Sequence, residues 1–469
     1  MSSRLEIIKD HFVTQRSRHI VGTDCSSENL PQALNQLDIP DVEVLAPPQG
    51  LENEFNTIFT VEAVSFIAEL VQQFDKNVDQ MLQARIVRKA NLDSSGALPD
   101  FLSESRHIRE SSWKVKPVPR RLINRHIDLG DVSPSNEVHL KNALKSKAQA
   151  IQVDFDDGHC PSWKNQLLGY YNIYNVVYNK YPDIAALSDI PVLMLRPRAW
   201  NMVDHAVMVN GKEVAGPLLD FGLLIYHFGH ILLANESGPF FYLSKLEGHK
   251  EARLWNKVFD WSQQKLELPH GCIKACVLIE NILSSFEMHE ILYELRDHSA
   301  GLNCGIWDYS ASFVNKFGHR SAFLLPDRNK YVNMEKHFLK SYMDLVVQTC
   351  HRRGCHATGG MSALLLPNEN SKTYREVLQK TTSGKLREIE AGVDGFLVYD
   401  IRLIDHMHKL FDRHAPTVNQ LFVNRSDVKI TAQDLLVMPR GGVTFAGLLH
   451  NIAVGVLFIY SWLRSESHR

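Results

Sequence analysis

Residues 273–280 read IKACVLIE, a short and mostly apolar run that ends in a glutamate. Seven more runs of this kind follow residue 120, separated by helical patterns and by Gly, Pro and Asn. In chain order the eight runs are residues 125–129, 150–155, 192–195, 239–243, 273–279, 301–304, 356–359 and 395–399. Short apolar runs bounded by such punctuation indicate buried strands.

The segments between these runs contain helical patterns, for example over residues 218–233 and 337–350. Helices of that length can make right-handed crossovers between parallel strands. Eight strands that alternate with helices over roughly 280 residues predict an α/β fold, a closed (β/α)8 TIM barrel. A doubly wound open sheet has the same alternation and is the alternative.

The flanking residues predict further parts of the chain. Residues 1–58 are expected to form a polar, loosely held N-terminal arm, and apolar residues at helical spacing from Val61 to Met81 predict a helical N-terminal domain over 59–120. The barrel is expected over 121–430. Residues 431–469, with a last helix over about 444–463, are interpreted as the remnant of a C-terminal helical domain.

Composition is that of an ordinary globular protein: 44% hydrophobic and 22% charged residues, with a formal charge of −2 over 469 residues. Net charge therefore predicts neither nucleic-acid nor membrane binding. Seven cysteines without a CxxC pair favour a reducing compartment, and the first 30 residues lack a secretory pattern. The uncharged run 452–463 is too short to span a bilayer. The expected location is intracellular, cytoplasmic or peroxisomal, with no clear peroxisomal signal in Ser467-His468-Arg469.

Polar residues end three of the predicted strands. Arg196 and Arg198 follow the third run, Glu280 ends the fifth, and Asp308 comes shortly after the sixth. Because active sites of (β/α)8 barrels lie at the carboxyl ends of the strands, two carboxylates and an arginine there suit a hard divalent cation and an oxygen-rich anion.

Each of these residues also has a structural interpretation. A lone carboxylate at a strand end is often a helix cap, and both arginines could form structural ion pairs. The acidic stretch of residues 154–157 is either another wall of the site or an ordinary turn.

Three strings carry a resemblance to a known family. Residues 238–247 (GPFFYLSKLE), 273–280, and 290–305 (EILYELRDHSAGLNCG) resemble malate synthases, and the likeness extends over about residues 59–463. The resemblance implies a barrel enzyme of the glyoxylate cycle that uses Mg²⁺ and condenses acetyl-CoA with glyoxylate to give (S)-malate and CoA. Glyoxylate and acetyl-CoA are then the expected ligands, and neither nucleic acid nor membrane is an expected partner.

The resemblance also implies roles for single residues. Arg196 corresponds to the catalytic arginine that polarises the reacting oxygens, and Glu280 and Asp308 correspond to the two metal ligands. Arg196, Gly305, Trp307 and Asp308 are the residues expected to contact the substrate.

The sequence departs from the family pattern at several positions. The family's catalytic base is an aspartate in a Met-Glu-Asp motif beyond the last helix, but only residues 464–469 follow Leu463, so no base is found. Ile306 stands where the family has arginine, and residues 399–401 replace its Ala-His-Pro.

Two hypotheses follow from these departures. A third, that the chain is a truncated product of a full-length gene, is disfavoured because such a product should carry few substitutions elsewhere. The first is a Mg²⁺-dependent condensation enzyme, with its base supplied by another residue or by a neighbouring subunit. The second is a catalytically inactive homologue that binds a 2-oxoacid, Mg²⁺ or a protein partner.

Overall fold

Eight parallel strands close into a barrel in the computed structural model, which describes Leu37 and residues 39–466. Three further strands form a smaller sheet. In chain order, the strands of both are β1 (Val42–Val44), β2 (Ile127–Val132), β3 (Ala150–Asp154), β4 (Val192–Arg196), β5 (Val203–Val209), β6 (Lys212–Ala215), β7 (Phe240–Leu243), β8 (Lys274–Ile279), β9 (Ser299–Cys304), β10 (Ala357–Ser362) and β11 (Gly395–Val398).

Helices surround this barrel and connect its strands. They are α1 (Glu52–Ile58), α2 (Val61–Ser95), α3 (Arg106–Glu110), α4 (Glu137–Leu144), α5 (Trp163–Val177), α6 (Gly216–Ala234), α7 (His249–Lys265), α8 (Met288–Glu294), α9 (Ile306–Phe317), α10 (Arg328–Tyr331), α11 (His337–Arg353), α12 (Tyr374–Ala391), α13 (Ile404–His414), α14 (Ala432–Leu436) and α15 (Phe445–Leu463).

The barrel strands neighbour one another in the order β10-β11-β2-β3-β4-β7-β8-β9, and the ring is closed. Every predicted run overlaps one of these eight strands, so the TIM-barrel prediction is confirmed and the open sheet is wrong. The backbone of Gly301 in β9 packs closely against the backbone of His356. A Cβ at position 301 would lie only 2.0 Å from the His356 carbonyl oxygen, and φ is +107°, so the position requires glycine.

The strand register brings the carboxyl ends of neighbouring strands to one level. Asp154, the last residue of β3, is paired with Arg196, the last residue of β4. Ile279 at the end of β8 is likewise paired with Cys304 at the end of β9. The residues that follow these ends, Glu280 and Gly305, therefore leave the barrel side by side.

A small antiparallel sheet, β1-β5-β6, lies outside the barrel and was not predicted. Strand β1 pairs Val42 with Val209 of β5, and Phe55 and Ile58 of α1 are buried. The prediction of a loosely held arm is therefore wrong for residues 42–58, because their apolar side chains reach the core. Residues 1–36 and 38 of that predicted arm lie outside the described residues.

Helix α2 is 35 residues long, and the prediction to about residue 81 was too short. The Thr60 side chain caps its start by accepting a hydrogen bond from Ala63 N, and Gly96, with φ +68°, ends it. Its apolar side chains are buried as far as Val78. Beyond Val78 no side chain of the helix is fully buried, so the burial pattern ends before the helix does.

Helix α15 crosses the carboxyl end of the barrel. The Thr444 hydroxyl at its start bonds the Asp327 carboxylate, and near its end Trp462 O accepts from the Cys160 thiol at 3.4 Å. By length and composition alone, α6 and α15 could each span a membrane. The α6 segment is 67% buried, as in a core helix of a globular protein, whereas only 6% of the α15 segment is buried.

Candidate active site

Side chains from the carboxyl ends of the strands enclose a cavity of about 300 Å³. The lining residues are Asp131, Gln152, Asp157, Arg196, Leu278, Glu280, Asn303, Gly305, Ile306, Trp307, Asp308, Met361, Leu397 and Phe458. All five residues expected at the site from the sequence, Arg196, Glu280, Gly305, Trp307 and Asp308, are among them.

Arg196 is buried and paired with the acidic residues after β3. Its Nη1 lies 3.2 Å from Asp154 Oδ2, and its Nη2 lies 3.0 Å from Asp156 Oδ2 and 2.5 Å from Asp157 Oδ2. Burial disfavours the charged form, but the surrounding carboxylates outweigh it and hold the pKa of Arg196 well above its ordinary value. The guanidinium is therefore a permanent positive charge at the cavity.

Residues 154–157 form both a turn and an acidic wall, so the two interpretations of this stretch hold together. Asp154 accepts backbone hydrogen bonds from Asp156 N and Gly158 N, each at 2.8 Å, which turns the chain. Burial opposes ionisation of Asp157, yet Arg196 and Lys245 hold its pKa well below the usual range. The wall therefore carries negative charge.

Lys245 joins this cluster and was not among the predicted site residues. It follows β7 with φ +55°, and its Nζ lies 2.9 Å from Asp156, 2.8 Å from Asp157 and 3.4 Å from Asp308. Its backbone N–H donates to Glu280 Oε1 at 2.6 Å. The available signal was its place two residues after the end of a fourth strand, β7.

Glu280 and Asp308 both lie against Lys245 and present carboxylates to the cavity. Burial is the main cause that raises the pKa of Glu280 well above its ordinary value; Asp308 raises it further, whereas Lys245 lowers it. Gly305 packs against Glu280 so closely that an added Cβ would lie 2.6 Å from Glu280 Cβ and 3.1 Å from its Oε2. A hard divalent ion such as Mg²⁺ is bound through one or two carboxylates, and Glu280 and Asp308 supply two at this cavity.

Other lining residues were missed because they lie far away in the sequence. Asp131 is the residue before the last in β2 and has φ +52°, and its Oδ1 lies 3.7 Å from Arg196 Nη1. Burial and the Asp154 charge raise the pKa of Asp131 well above its ordinary value. Phe458 reaches the cavity from α15. Trp307, a predicted substrate contact, is 47% exposed.

Arg198 is separate from this cluster. Its Nη2 lies 2.7 Å from Asp220 and 2.8 Å from Asp204, and all three side chains are buried. Of the two arginines at the end of β4, only Arg196 lines the cavity, and Arg198 is a structural ion-pair residue.

Comparisons with known proteins find similarity over most of the chain. The family models described as "Malate synthase, TIM barrel domain" and "Malate synthase, N-terminal domain" match residues 192–438 and 48–107. A malate synthase of Myxococcus xanthus is 40% identical over 417 residues, 87% of this chain and 76% of that protein. A glyoxysomal malate synthase of Glycine max is 38% identical over 424 residues, 87% of this chain and 74% of that protein.

One of the solved structures to which the chain is similar is protein CitE from Mycobacterium tuberculosis, crystallised in complex with magnesium and acetate. That chain is 13% identical, with a TM-score of 0.38, and the match covers 63% of the present chain and 94% of that chain.

Proposed function

The chain belongs to the malate synthase family, and we propose that it catalyses the Mg²⁺-dependent condensation of acetyl-CoA with glyoxylate to (S)-malate and CoA. The observation that carries the proposal is the meeting of Arg196, Glu280 and Asp308 at one cavity. A barrel mouth with one buried guanidinium and two neighbouring carboxylates suits a small anionic oxoacid held beside a divalent cation.

We assign Glu280 and Asp308 as the residues that hold Mg²⁺. Both offer hard oxygen donors, and the Lys245 ammonium 3.4 Å from the Asp308 carboxylate indicates that this position favours positive charge. Bound Mg²⁺ would polarise the aldehyde oxygen of glyoxylate. Gly305 leaves the space that the Glu280 side chain occupies, so it supports the ligand rather than binding the ion.

Arg196 acts on the oxygen charge that develops in the reaction. The new bond joins the acetyl methyl carbon to the aldehyde carbon, whose oxygen gains negative charge; water then cleaves the thioester and releases the CoA thiol. A buried, permanently charged guanidinium stabilises that oxygen without reorganising. Asp154, Asp156 and Asp157 fix its orientation from behind.

Proton removal from the acetyl methyl group requires a base, and we propose Asp131 for this role. Asp131 lines the cavity beside Arg196, and its raised pKa brings the carboxylate closer to the basicity that proton abstraction needs. Asp131→Asn is then expected to lose thiol release roughly 10²- to 10⁴-fold while glyoxylate binding persists. Equal loss of binding and turnover would remove Asp131 from this role.

The test of the whole proposal is release of free thiol from acetyl-CoA by the purified chain. Release is expected only when glyoxylate and Mg²⁺ are both present, and Asp308→Ala abolishes it. Asp405→Ala is the matched control, because Asp405 is an exposed carboxylate paired with Lys147 outside the cavity. Thiol release that ignores glyoxylate would contradict the proposal and indicate a thioesterase-like activity.

A second candidate is a homologue that binds a 2-oxoacid and Mg²⁺ without condensation. The observation that favours it is Ile306, an apolar side chain on the cavity wall where the family resemblance implies an arginine. Calorimetry separates the two candidates, because this one predicts Mg²⁺-dependent glyoxylate binding with no thiol release.

The glyoxysomal relative supports a peroxisome-class organelle as the location, with the cytoplasm as the alternative. Imaging of a fluorescent fusion in cells with a peroxisomal marker distinguishes them.

A further inference from the structure

A second group of metal-ligating side chains lies at the opposite end of the barrel. Asp260 belongs to α7, His270 lies in the loop that leads to β8, and His298 directly precedes β9. One ligand atom from each residue lies within 4.8 Å of the other two. We propose that Asp260, His270 and His298 bind a transition-metal dication of the zinc class, at a site independent of the catalytic cavity.

Asp260 has a buried oxygen that accepts no hydrogen bond, although an imidazole lies beside it. Its Oδ2 accepts a hydrogen bond from Asn256 Nδ2 at 2.9 Å, whereas its Oδ1 has no hydrogen-bond partner within the described part of the chain. An unpaired buried carboxylate oxygen is costly. A cation bound at Oδ1 would remove that cost, so the orphaned atom points to a ligand.

His298 is held in the orientation that a metal ligand needs. Its Nδ1 lies 2.9 Å from Asn256 Oδ1, an atom that can only accept, so Nδ1 carries the proton. Its Nε2 accepts a hydrogen bond from Gln263 Nε2 at 3.0 Å through its single lone pair, which is the lone pair that a metal ion would take. A protonated nitrogen bonded to an oxygen on the far side is the usual support of a metal-bound histidine.

The spacing of the ligand atoms also fits. Asp260 Oδ1 lies 3.2 Å from His270 Nδ1 and 3.6 Å from His298 Nε2. Bonds of about 2.0–2.1 Å in a tetrahedral site place neighbouring ligand atoms about 3.4 Å apart. The two separations from Asp260 Oδ1, 3.2 Å and 3.6 Å, lie on either side of that distance. Small side-chain movements would therefore complete the site.

Metal binding would break one hydrogen bond of a neighbouring side chain and keep others. Gln263 Nε2 has to give up its hydrogen bond to His298, while Gln263 Oε1 keeps its bonds to Gly271 N and Ile273 N. Asp297 Oδ2 lies 3.8 Å from His270 Nε2, on the ring's other nitrogen, and its carboxylate also pairs with Lys116. Asp297 is thus placed to support His270 rather than to bind the ion.

The donor types distinguish this site from the carboxylate pair at the cavity. Two imidazoles and one carboxylate suit zinc, cobalt or nickel, whereas Mg²⁺ prefers oxygen ligands alone. The His270 side chain is 56% exposed, so an ion can enter from solvent, and water can take the remaining position. A bound ion would join the end of α7 to the starts of β8 and β9.

The experiment titrates the purified full chain with Co²⁺, a spectroscopic stand-in for zinc, in saturating Mg²⁺ that occupies the carboxylate site. We expect one equivalent of Co²⁺ to bind with visible d–d absorption typical of low coordination number, and Zn²⁺ to displace it. His270→Ala should weaken binding by about 100-fold or more, and because this side chain is exposed, the variant should fold.

Two further variants complete the test. His205→Ala is the matched control, since His205 is an exposed histidine paired with a carboxylate, Glu213, outside the cluster; it should bind Co²⁺ as the wild type does. Asp260→Asn should weaken binding as His270→Ala does. Absence of the absorption from the wild type, or equal binding by His270→Ala, would overturn the proposal whatever the activity of the cavity.

Discussion

The Lys245 ammonium nitrogen lies 3.4 Å from Asp308 Oδ2, and the same nitrogen contacts the carboxylates of Asp156 and Asp157. A cation of the chain itself therefore sits among the carboxylates that we assign to catalysis. Lys245 partly neutralises Asp308 before Mg²⁺ arrives and competes with the ion for that ligand.

Lys245→Met removes this competing charge and keeps the length of the side chain. We expect Mg²⁺ to bind roughly tenfold more tightly, because a unit charge a few Å away contributes at least about 1.4 kcal/mol in this environment. Isothermal calorimetry with Mg²⁺ alone measures the change. Lys212→Met, which loses an exposed lysine paired with Asp75 and Asp79, is the control. Unchanged or weaker Mg²⁺ binding by Lys245→Met would refute the competition.

Arg196→Met leaves three acidic residues without their buried partner. We expect the free energy of unfolding to fall by about 3–5 kcal/mol, since removing one member of a buried ion pair leaves uncompensated charge. Urea denaturation monitored by tryptophan fluorescence measures this loss. Arg253→Met removes the more exposed pair with Glu294, and there we expect a loss of no more than about 1 kcal/mol. Similar losses in the two variants would show that Arg196 is not held as described.

Gly305→Ala tests the close packing against Glu280. The φ of Gly305 is −82°, which any residue adopts, so the expected effect is steric and comes from the Cβ only 2.6 Å from Glu280 Cβ. Displacing Glu280 is expected to weaken Mg²⁺ binding roughly 10- to 100-fold, the range for residues that support a metal ligand. Calorimetry is again the measurement.

Gly384→Ala serves as its control, because nothing lies within 4 Å of a Cβ added at that helical position. Mg²⁺ affinity of this variant should equal that of the wild type. Gly305→Ala with wild-type affinity would mean that the position of Glu280 does not matter for the ion.

His289→Gln is expected to reduce the sensitivity of the fold to acid. Burial, together with Arg353 and Arg352, lowers the pKa of His289 to about 3. An unfolded histidine has a pKa of about 6.5, so between that pH and about 3 the unfolded chain binds one proton more. Stability from this group is fully present above pH 6.5 and is lost as the pH falls, at about 1.4 kcal/mol per unit.

Glutamine does not titrate and can still accept the hydrogen bond that Arg353 Nε donates to His289 Nδ1 at 3.0 Å. Urea denaturation at several pH values between 6.5 and 4 should therefore give a slope smaller by about one proton in the variant. An unchanged slope in His289→Gln would contradict the buried neutral state.

Much of the fold could be predicted because its signals are local. Apolar runs with intervening helical patterns predicted all eight barrel strands, and the rule that sites lie at the carboxyl ends of strands indicated Arg196, Arg198, Glu280 and Asp308, of which all but Arg198 line the cavity. The same local reasoning failed for β1, because a three-residue strand carries no periodicity. It also ended α2 too early, where the buried face stops.

By itself, then, the sequence determined the family, the barrel and the residues at its strand ends, because each follows from neighbours along the chain. Only the tertiary structure decided which charges meet. Lys245 is 89 positions from Asp156, and closure of the barrel brings them to 2.9 Å. Arg196 and Arg198 are only two positions apart, yet one faces the cavity and the other an internal ion pair. Asp260, His270 and His298 likewise converge only because strand register and helix packing bring distant segments to one point.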